Sequence, residues 1–245
     1  MSILYDDIKS IKQAEENVGG LSSPSKMPTY GWSISAFDCG VGSILVTKEG
    51  SACFDCYARK GRYIFPNVQN ALKRRLQKWK EDRALWRVSM IYLMNNKKGI
   101  VESGCFRWFD SGDLQGITML ADIVEIALET PHIKHWLPTK EYQLVKDSKS
   151  YGFCPDIPSN LILRVSHPRV GKVFNALDVA CGNSPRHNSA IFEPHNFGEN
   201  YQGVDRLGNP ITRYVFCPSS LQDNSCEDCR ACWDSRIETV VYKAH

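Results

Sequence analysis

Nowhere in the 245 residues does an apolar run approach the roughly 20 residues that a membrane-spanning helix requires, so no membrane contact is expected. The opening stretch MSILYDDIKSIKQAEENVGG is acidic and broken by polar residues, which argues against a secretory leader. Also missing are an HExxH zinc-hydrolase pair, a GxSxG nucleophile elbow, a Walker loop and a GxGxxG dinucleotide fingerprint. The commonest metallohydrolase, serine-hydrolase and nucleotide-binding readings therefore have no support. No acidic–lysine constellation suggests a metal-dependent nuclease, and there is no internal repeat or low-complexity tract. A formal charge of +3 is too small to demand a nucleic-acid partner.

What the chain does have is the composition of a globular protein, 42% hydrophobic and 23% charged. Its length suffices for one large domain, or for one domain with a small appendage. A cytoplasmic location is expected, where thiols stay reduced and clustered cysteines read as metal ligands before disulfides. There are ten cysteines, and seven of them fall into two groups. Cys39, Cys53 and Cys56 stand near the N-terminus; Cys217, Cys226, Cys229 and Cys232 stand near the C-terminus. A four-iron cubane held by three cysteines keeps one iron open for a ligand, whereas one held by four is closed.

Residues 1–28 read as a helical segment followed by a Gly-Gly/Ser-Pro-Ser linker. Residues 29–212 read as a β/α domain carrying the three-cysteine site, and residues 213–245 as a four-cysteine metal-binding extension. A short strand from Tyr30 to Phe37 is expected to run into Cys39. From Pro66 to Met94 one helical stripe (Leu72, Leu76, Trp79, Arg83, Trp86) is flanked by Lys73, Arg74, Arg75, Lys78, Lys80 and Arg87. That helix has two readings, a core-facing stripe with a solvated back or a basic face for nucleic acid or a host protein over residues 72–87. Strands at Cys105–Asp110, Ile133–Leu137, Leu161–Ser166, Val173–Ala180 and Thr239–Tyr242 alternate in part with helical stretches such as Thr118–Leu128. That rhythm implies parallel pairing in a β/α layer or barrel. Polar groups at the strand ends, Asp38–Cys39, Asp110–Asp113, Thr139–Glu141 and Ser166–Arg169, would then line one rim.

The C-terminal spacing C-x8-C-x2-C-x2-C resembles a ferredoxin-type run around a cubane corner. Zinc is the alternative, and unligated core thiols a further one. In the N-terminal C-x13-C-x2-C run, the competing reading makes Cys39 a core thiol and gives Cys53 and Cys56 ligands from elsewhere, a histidine or Cys105. Cys105 opens an apolar strand and is expected in the core. Cys154 and Cys181 stay open as extra ligands. His132, His135 and His167 read as hydrogen-bonded structural residues or as bases. Ser111-Gly112-Asp113 is either a ligand-facing turn or a turn whose aspartate caps the helix near Thr118.

Four stretches carry a resemblance: Cys53-x2-Cys56-Tyr57-Ala58, Phe106-Arg107-Trp108-Phe109-Asp110-Ser111-Gly112-Asp113-Leu114, His135-Trp136-Leu137-Pro138-Thr139-Lys140, and Cys226-x2-Cys229-Arg230-Ala231-Cys232-Trp233. Over roughly residues 30–245 the chain resembles the phage and plasmid "gene product 88"-type proteins, themselves similar to the radical S-adenosylmethionine (SAM) superfamily. The resemblance implies an α/β fold, a partial (β/α) barrel with a Cys-rich C-terminal extension, in the host cytoplasm if phage-encoded. It implies that Cys39, Cys53 and Cys56 bind a 4Fe–4S cluster whose open iron takes SAM. Ser111, Gly112 and Asp113 would hold the SAM amine; Lys140, Ser166 and Arg164 or Arg169 would face its ribose or carboxylate. Reductive cleavage of SAM would give a 5′-deoxyadenosyl radical acting on an unknown substrate, and no catalytic residue is assigned. A second cluster, or zinc, would occupy the four-cysteine group. The first cysteine gap is thirteen residues where the superfamily has three, and the acidic motif is Ser-Gly-Asp instead of Gly-Gly-Glu. The rival class is a non-catalytic, metal-stabilised module docking through the basic helix.

Overall fold

The computed structural model describes residues 5–145, 156–174, 187–192, 201–204 and 210–244. Strands β1 (Gly31–Trp32), β2 (Cys105–Trp108), β3 (Lys134–Thr139) and β4 (Leu161–Ser166) lie side by side in chain order. Next come β5 (His187–Phe192), β8 (Ile237–Lys243), β7 (Pro210–Phe216) and β6 (Tyr201–Val204), so the sheet runs β1-β2-β3-β4-β5-β8-β7-β6. Every neighbouring pair is parallel except β6 with β7. The result is a mixed α/β fold on an open eight-stranded sheet with seven parallel strands. The segment 213–245 is woven into it, because β8 lies between β5 and β7.

Alternation along the strands sorts side chains to two faces. Phe106, Trp108, Leu137, Leu161, Leu163 and Val165 pack on one face against helices α4 (Arg83–Asn96) and α6 (Ile117–Glu129), through Trp86, Met90, Leu93, Leu120 and Ile123. The N-terminal helix α1 (Ile11–Val18) joins the same core through Ala14 and Val18. Cys105, Trp136 and Val240 face the other way and pack with Cys232 and Trp233. Helices thus cover one face, and the C-terminal cysteine segment sits on the other. Cys105, as expected, is a buried core thiol.

The stripe expected from Pro66 to Met94 is interrupted. Asp82 adopts φ −151°, ψ 92°, and its carboxylate accepts the Leu85 N–H at 3.0 Å, ending α3 (Pro66–Glu81) and starting α4. An N-cap aspartate offers the backbone an alternative to helix, and here that local bond outweighs the continuous apolar period. The strand expected over Tyr30–Phe37 shrinks to Gly31–Trp32, because Ser35 Oγ caps a tight turn at Ala36–Asp38. Residues 172–174 have no regular structure; the rest of the strand expected over 173–180 falls outside the described residues, as do Cys154 and Cys181. Among the described residues no helix is long and apolar enough to cross a membrane.

Candidate functional site

Because β1 to β4 run parallel, the segments that follow them emerge on one edge of the sheet. After β1 the chain turns through Cys39 into the short helix α2 (Gly40–Leu45). Glu141, just past β3, accepts the Val41 N–H at 2.7 Å and so pins the start of α2. Beyond α2 the loop is tied to the segment after β4: Ala52 N donates to Pro168 O at 2.8 Å, and Val170 N to Gly50 O at 3.1 Å. Arg59 closes the loop from behind, donating to Ala36 O at 3.0 and 3.2 Å and to Ser43 Oγ at 2.6 Å. Inside this frame Gly42 is pressed against the thiols. A Cβ there would meet Cys39 Cβ at 2.9 Å and stand 3.4 and 3.8 Å from Cys39 Sγ and Cys53 Sγ. The absence of a side chain at Gly42 is what lets Cys39 and Cys53 come together.

Burial raises the Cys39 and Cys53 thiols above their ordinary range. For Cys39, the Asp113 carboxylate adds to burial, followed by Cys53 and Cys56, while Arg59 opposes. For Cys53, Lys140 is the main opposing charge. The three cysteines, Asp113 and Lys140 therefore act on one another electrostatically, as the rim expectation requires.

Asp113 is buried and its own pKa is raised by burial. Its Oδ1 accepts Leu114 N at 2.8 Å and Thr139 Oγ1 at 2.6 Å, and its Oδ2 accepts Lys140 N at 2.8 Å. It joins the ends of β2 and β3 and does not cap α6, whose N-cap is Gly116 without a side-chain bond. Gly112 has φ +80°, and a Cβ there would lie 2.3 Å from Ile34 Cγ1 and 2.8 Å from Ile34 O. Only glycine fits this turn without displacing the Ile34 backbone and side chain it touches. The Ser111 hydroxyl is buried at the same turn and has no hydrogen-bond partner. Ser166, at the end of β4, is committed to Ser189, with its Oγ 2.5 Å from the Ser189 Oγ. His167 Nδ1 accepts Arg169 N at 3.0 Å, an ordinary turn contact. His135 is buried, with Nε2 2.9 Å from Thr130 Oγ1, and burial pushes its pKa down to about 3; its role is structural.

The second group is held differently. Arg164, fully buried, donates to the carbonyls of Ala231, Cys232, Asp234, Asn188, Ile237 and Glu238 at 3.0–3.3 Å. Its guanidinium is spent on backbone carbonyls. Trp233 Nε1 donates to Phe106 O at 2.8 Å, locking the segment onto β2. Cys226 N donates to Lys26 O and Cys217 N to Val241 O, both at 2.8 Å. The Cys232 thiol, 3.1 Å from the Tyr242 hydroxyl, is pushed up to about 12 by burial. Burial also raises Cys226, with Cys217 and Cys229 adding to the effect; Cys217 acts on Cys232 as well. All four cysteines thus converge on the face opposite the helices.

The basic helix is largely engaged internally. Arg75 is buried and donates to Gly20 O, Leu21 O and Ser22 Oγ, and Arg74 donates to Gly19 O. Arg83 and Arg87 both pair with the buried Asp122, which also accepts Trp79 Nε1. The exposed apolar side chains lie elsewhere: Phe37, Ile44, Phe54, Tyr57, Ile64 and Phe65 surround the three-cysteine loop. The sequence places Glu141 on the strand-end rim and carries Tyr57 and Arg107 only within longer motifs; it does not single out Arg59, Phe37, Ile44, Phe54, Ile64 or Phe65.

Among the described residues no group of three or more His, Cys, Asp or Glu side chains is arranged to hold a metal ion. A zinc cage draws its thiolates to about 2.3 Å from one point. A cubane takes its cysteines at different irons, so its ligands stand wider apart. The donors present in both groups are thiols, with Gly42 bare beside Cys39 and Cys53, and thiolates ligate zinc and iron–sulfur clusters alike.

Comparison with curated proteins and with solved structures gives no match, so no radical SAM protein is matched by either route. The family model for gene product 88 matches residues 18–235, which takes in both cysteine groups and the whole strand-end rim. With most of its length covered, the chain belongs to the gene product 88 family.

Proposed function

We propose that this is an iron–sulfur protein whose Cys39, Cys53 and Cys56 hold a 4Fe–4S cluster with one open iron, in a radical SAM-like partial barrel. The observation that carries the reading is the stitching of three cysteines (Cys53 buried, Cys39 and Cys56 half-buried), Asp113 and Lys140 at the ends of consecutive parallel strands. Ligand sites in parallel α/β sheets sit at that edge. A bound cluster with SAM would supply a 5′-deoxyadenosyl radical on one-electron reduction. The chain's own part is to hold and screen. Gly42 leaves room beside the thiols, and Arg59 and Glu141 fix the loop that carries them. Lys140 offers positive charge to a carboxylate, and the Ser111 hydroxyl offers an unspent hydrogen bond. Asp113 has three of its acceptor positions filled, so it positions the turn and leaves little for a ligand amine. Cys217, Cys226, Cys229 and Cys232 form a second, closed centre.

Anaerobic purification is expected to give a brown protein with iron and acid-labile sulfide at both sites. Incubation with SAM and dithionite is expected to release 5′-deoxyadenosine. A colourless protein containing zinc without sulfide would falsify the cluster. A brown protein whose signals ignore SAM and that releases nothing would leave a metal-stabilised, non-catalytic scaffold. The three hydrogen bonds already accepted by Asp113 are the one observation that favours that second reading.

A further inference from the structure

On the sheet face opposite the helices, two adjacent donors lack an acceptor. Arg107 Nε and Trp136 Nε1 are both shut off from solvent and have no hydrogen-bond partner. The Arg107 guanidinium lies 4.5 Å from the centre of the Trp136 ring, so the two orphans share one place. Among the described residues no carboxylate is within ion-pair distance of Arg107. Its remaining contacts are the Met27 sulfur, at 3.0 Å from Nη1, and the Tyr57 hydroxyl. Arg107 is half-buried and Asp110 acts on it from beyond ion-pair distance, but its solvent-free Nε beside a second unsatisfied donor is costly unless something anionic occupies the neighbourhood.

The neighbourhood is the four-cysteine group. Met27 follows Lys26, whose carbonyl accepts the Cys226 N–H. Trp136 meets Trp233 edge-on at 5.3 Å and stacks on Tyr242 at 6.4 Å. The Tyr242 hydroxyl touches the Cys232 sulfur at 3.1 Å. The Arg107 charge acts on both Cys226 and Cys232.

We propose that Arg107 and Trp136 donate hydrogen bonds to an anionic sulfur centre held by Cys217, Cys226, Cys229 and Cys232, and that Arg107 supplies its counter-charge. This rests on the cluster reading above. Four thiolates around a cubane leave net negative charge in a half-buried place, and sulfur accepts the N–H groups that protein oxygen does not. Hydrogen bonds and charge beside a cluster set its reduction potential. Arg107 stabilises the more negative, reduced form, so losing it lowers the potential. Through Tyr57, which follows Cys56, the same guanidinium also touches the three-cysteine loop.

The test uses the full chain with Cys39→Ala and Cys53→Ala, purified anaerobically, so that remaining iron and sulfide report the C-terminal site. Its midpoint potential is read by redox titration with electron paramagnetic resonance. Arg107→Gln is expected to lower the reduction equilibrium constant at least tenfold, about 59 mV for one electron. Arg107→Lys is expected to recover most of that shift. Trp136→Phe keeps the ring, loses the N–H, and is expected to shift the potential the same way by less. A cluster that is present but keeps its parent potential in Arg107→Gln overturns the inference and leaves the cluster standing. Zinc without sulfide in the parent overturns both. If Arg107→Gln loses its cluster, Trp136→Phe decides: a parent potential there overturns the donor assignment.

Discussion

The two cysteine groups sit on the same sheet and are held by opposite means. The three-cysteine loop hangs from strand ends by a few bonds from Glu141, Arg59 and the backbone at 168–170, and its rim is exposed and apolar. The four-cysteine segment lies across a sheet face, fastened by one arginine to six carbonyls and sealed by Trp233. Each group has one buried cysteine, Cys53 or Cys232, and otherwise half-buried ones, so what differs is the support: an edge loop fixed at its ends against a segment laid on a sheet face.

The severest way to break this contrast is Arg164→Met. Six carbonyls lose their donor, and an unsatisfied buried group costs about 1–3 kcal/mol. Even with water replacing half of the bonds, a loss of several kcal/mol is expected. Lysine, with three N–H donors, replaces the fork only in part. Hydrogen exchange is expected to show residues 231–243 opening while residues 39–59 keep their protection. Equal loss in both would mean that the regions unfold as one unit and are not separately held.

Acid probes the same contrast from the C-terminal side. His187 is buried with Nε2 donating to Ser235 O at 2.9 Å, and burial lowers its pKa to about 4. The unfolded chain takes up a proton near pH 6.5, but the folded one resists until about pH 4. Stability is thus full above pH 6.5 and falls as pH drops, by about 1.4 kcal/mol per unit, or about 3 kcal/mol by pH 4. His135, lowered to about 3, adds a similar slope from beneath the helices. Denaturant titrations from pH 7 to 4 are expected to show the combined slope, and His187→Gln to remove about half of it. An unchanged slope in that variant would mean that His187 is not held neutral.

How much of this was legible follows from what produced each element. β4 lies where its run of Leu161, Ile162, Leu163 and Val165 predicted, and α6 and β8 match their periodic segments to within two residues. Those signals are local and repeat along the chain. The rim was legible for a different reason: once strands are parallel, their ends share an edge. The fastening of the four-cysteine segment was not, because Arg164 precedes its acceptor Cys232 by 68 residues. Nothing in LILRVS marks its arginine as buried. Arg75 misled in the same way, since a cation on a helical stripe looks solvated until the linker at 20–22 folds over it. β5, β6 and β7 were not anticipated, since HNSAIF, YQGV and PITRYVF carry no clean alternation of apolar and polar residues.

On the N-terminal side, Gly112→Ala sharpens the comparison. The new methyl meets Ile34 backbone oxygen and side chain, and φ +80° is itself unfavourable for alanine. A cost of about 2 kcal/mol is expected in denaturant unfolding. Iron loss is expected at Cys39, Cys53 and Cys56 and not at the C-terminal site. Iron lost equally from both sites would show that the rim turn supports the whole sheet.

The smallest stability change is expected at the apolar rim, and that is what makes it informative. Phe54 is 50% exposed and Phe37 is 52% exposed. Phe37 carries the Arg59 guanidinium 5.0 Å from its ring, a contact worth about 0.5–1 kcal/mol at an exposed site. Phe54→Ser removes half-exposed apolar surface that the fold does not depend on, so its unfolding free energy is expected within about 0.5 kcal/mol of the parent. Large apolar side chains gathered around one loop are unusual on a monomer and mark a contact surface. If Phe54→Ser costs as much as Gly112→Ala, the ring is part of the fold and the rim is not open. If it costs nothing, the rim beside Cys39, Cys53 and Cys56 is apolar surface that the fold leaves free.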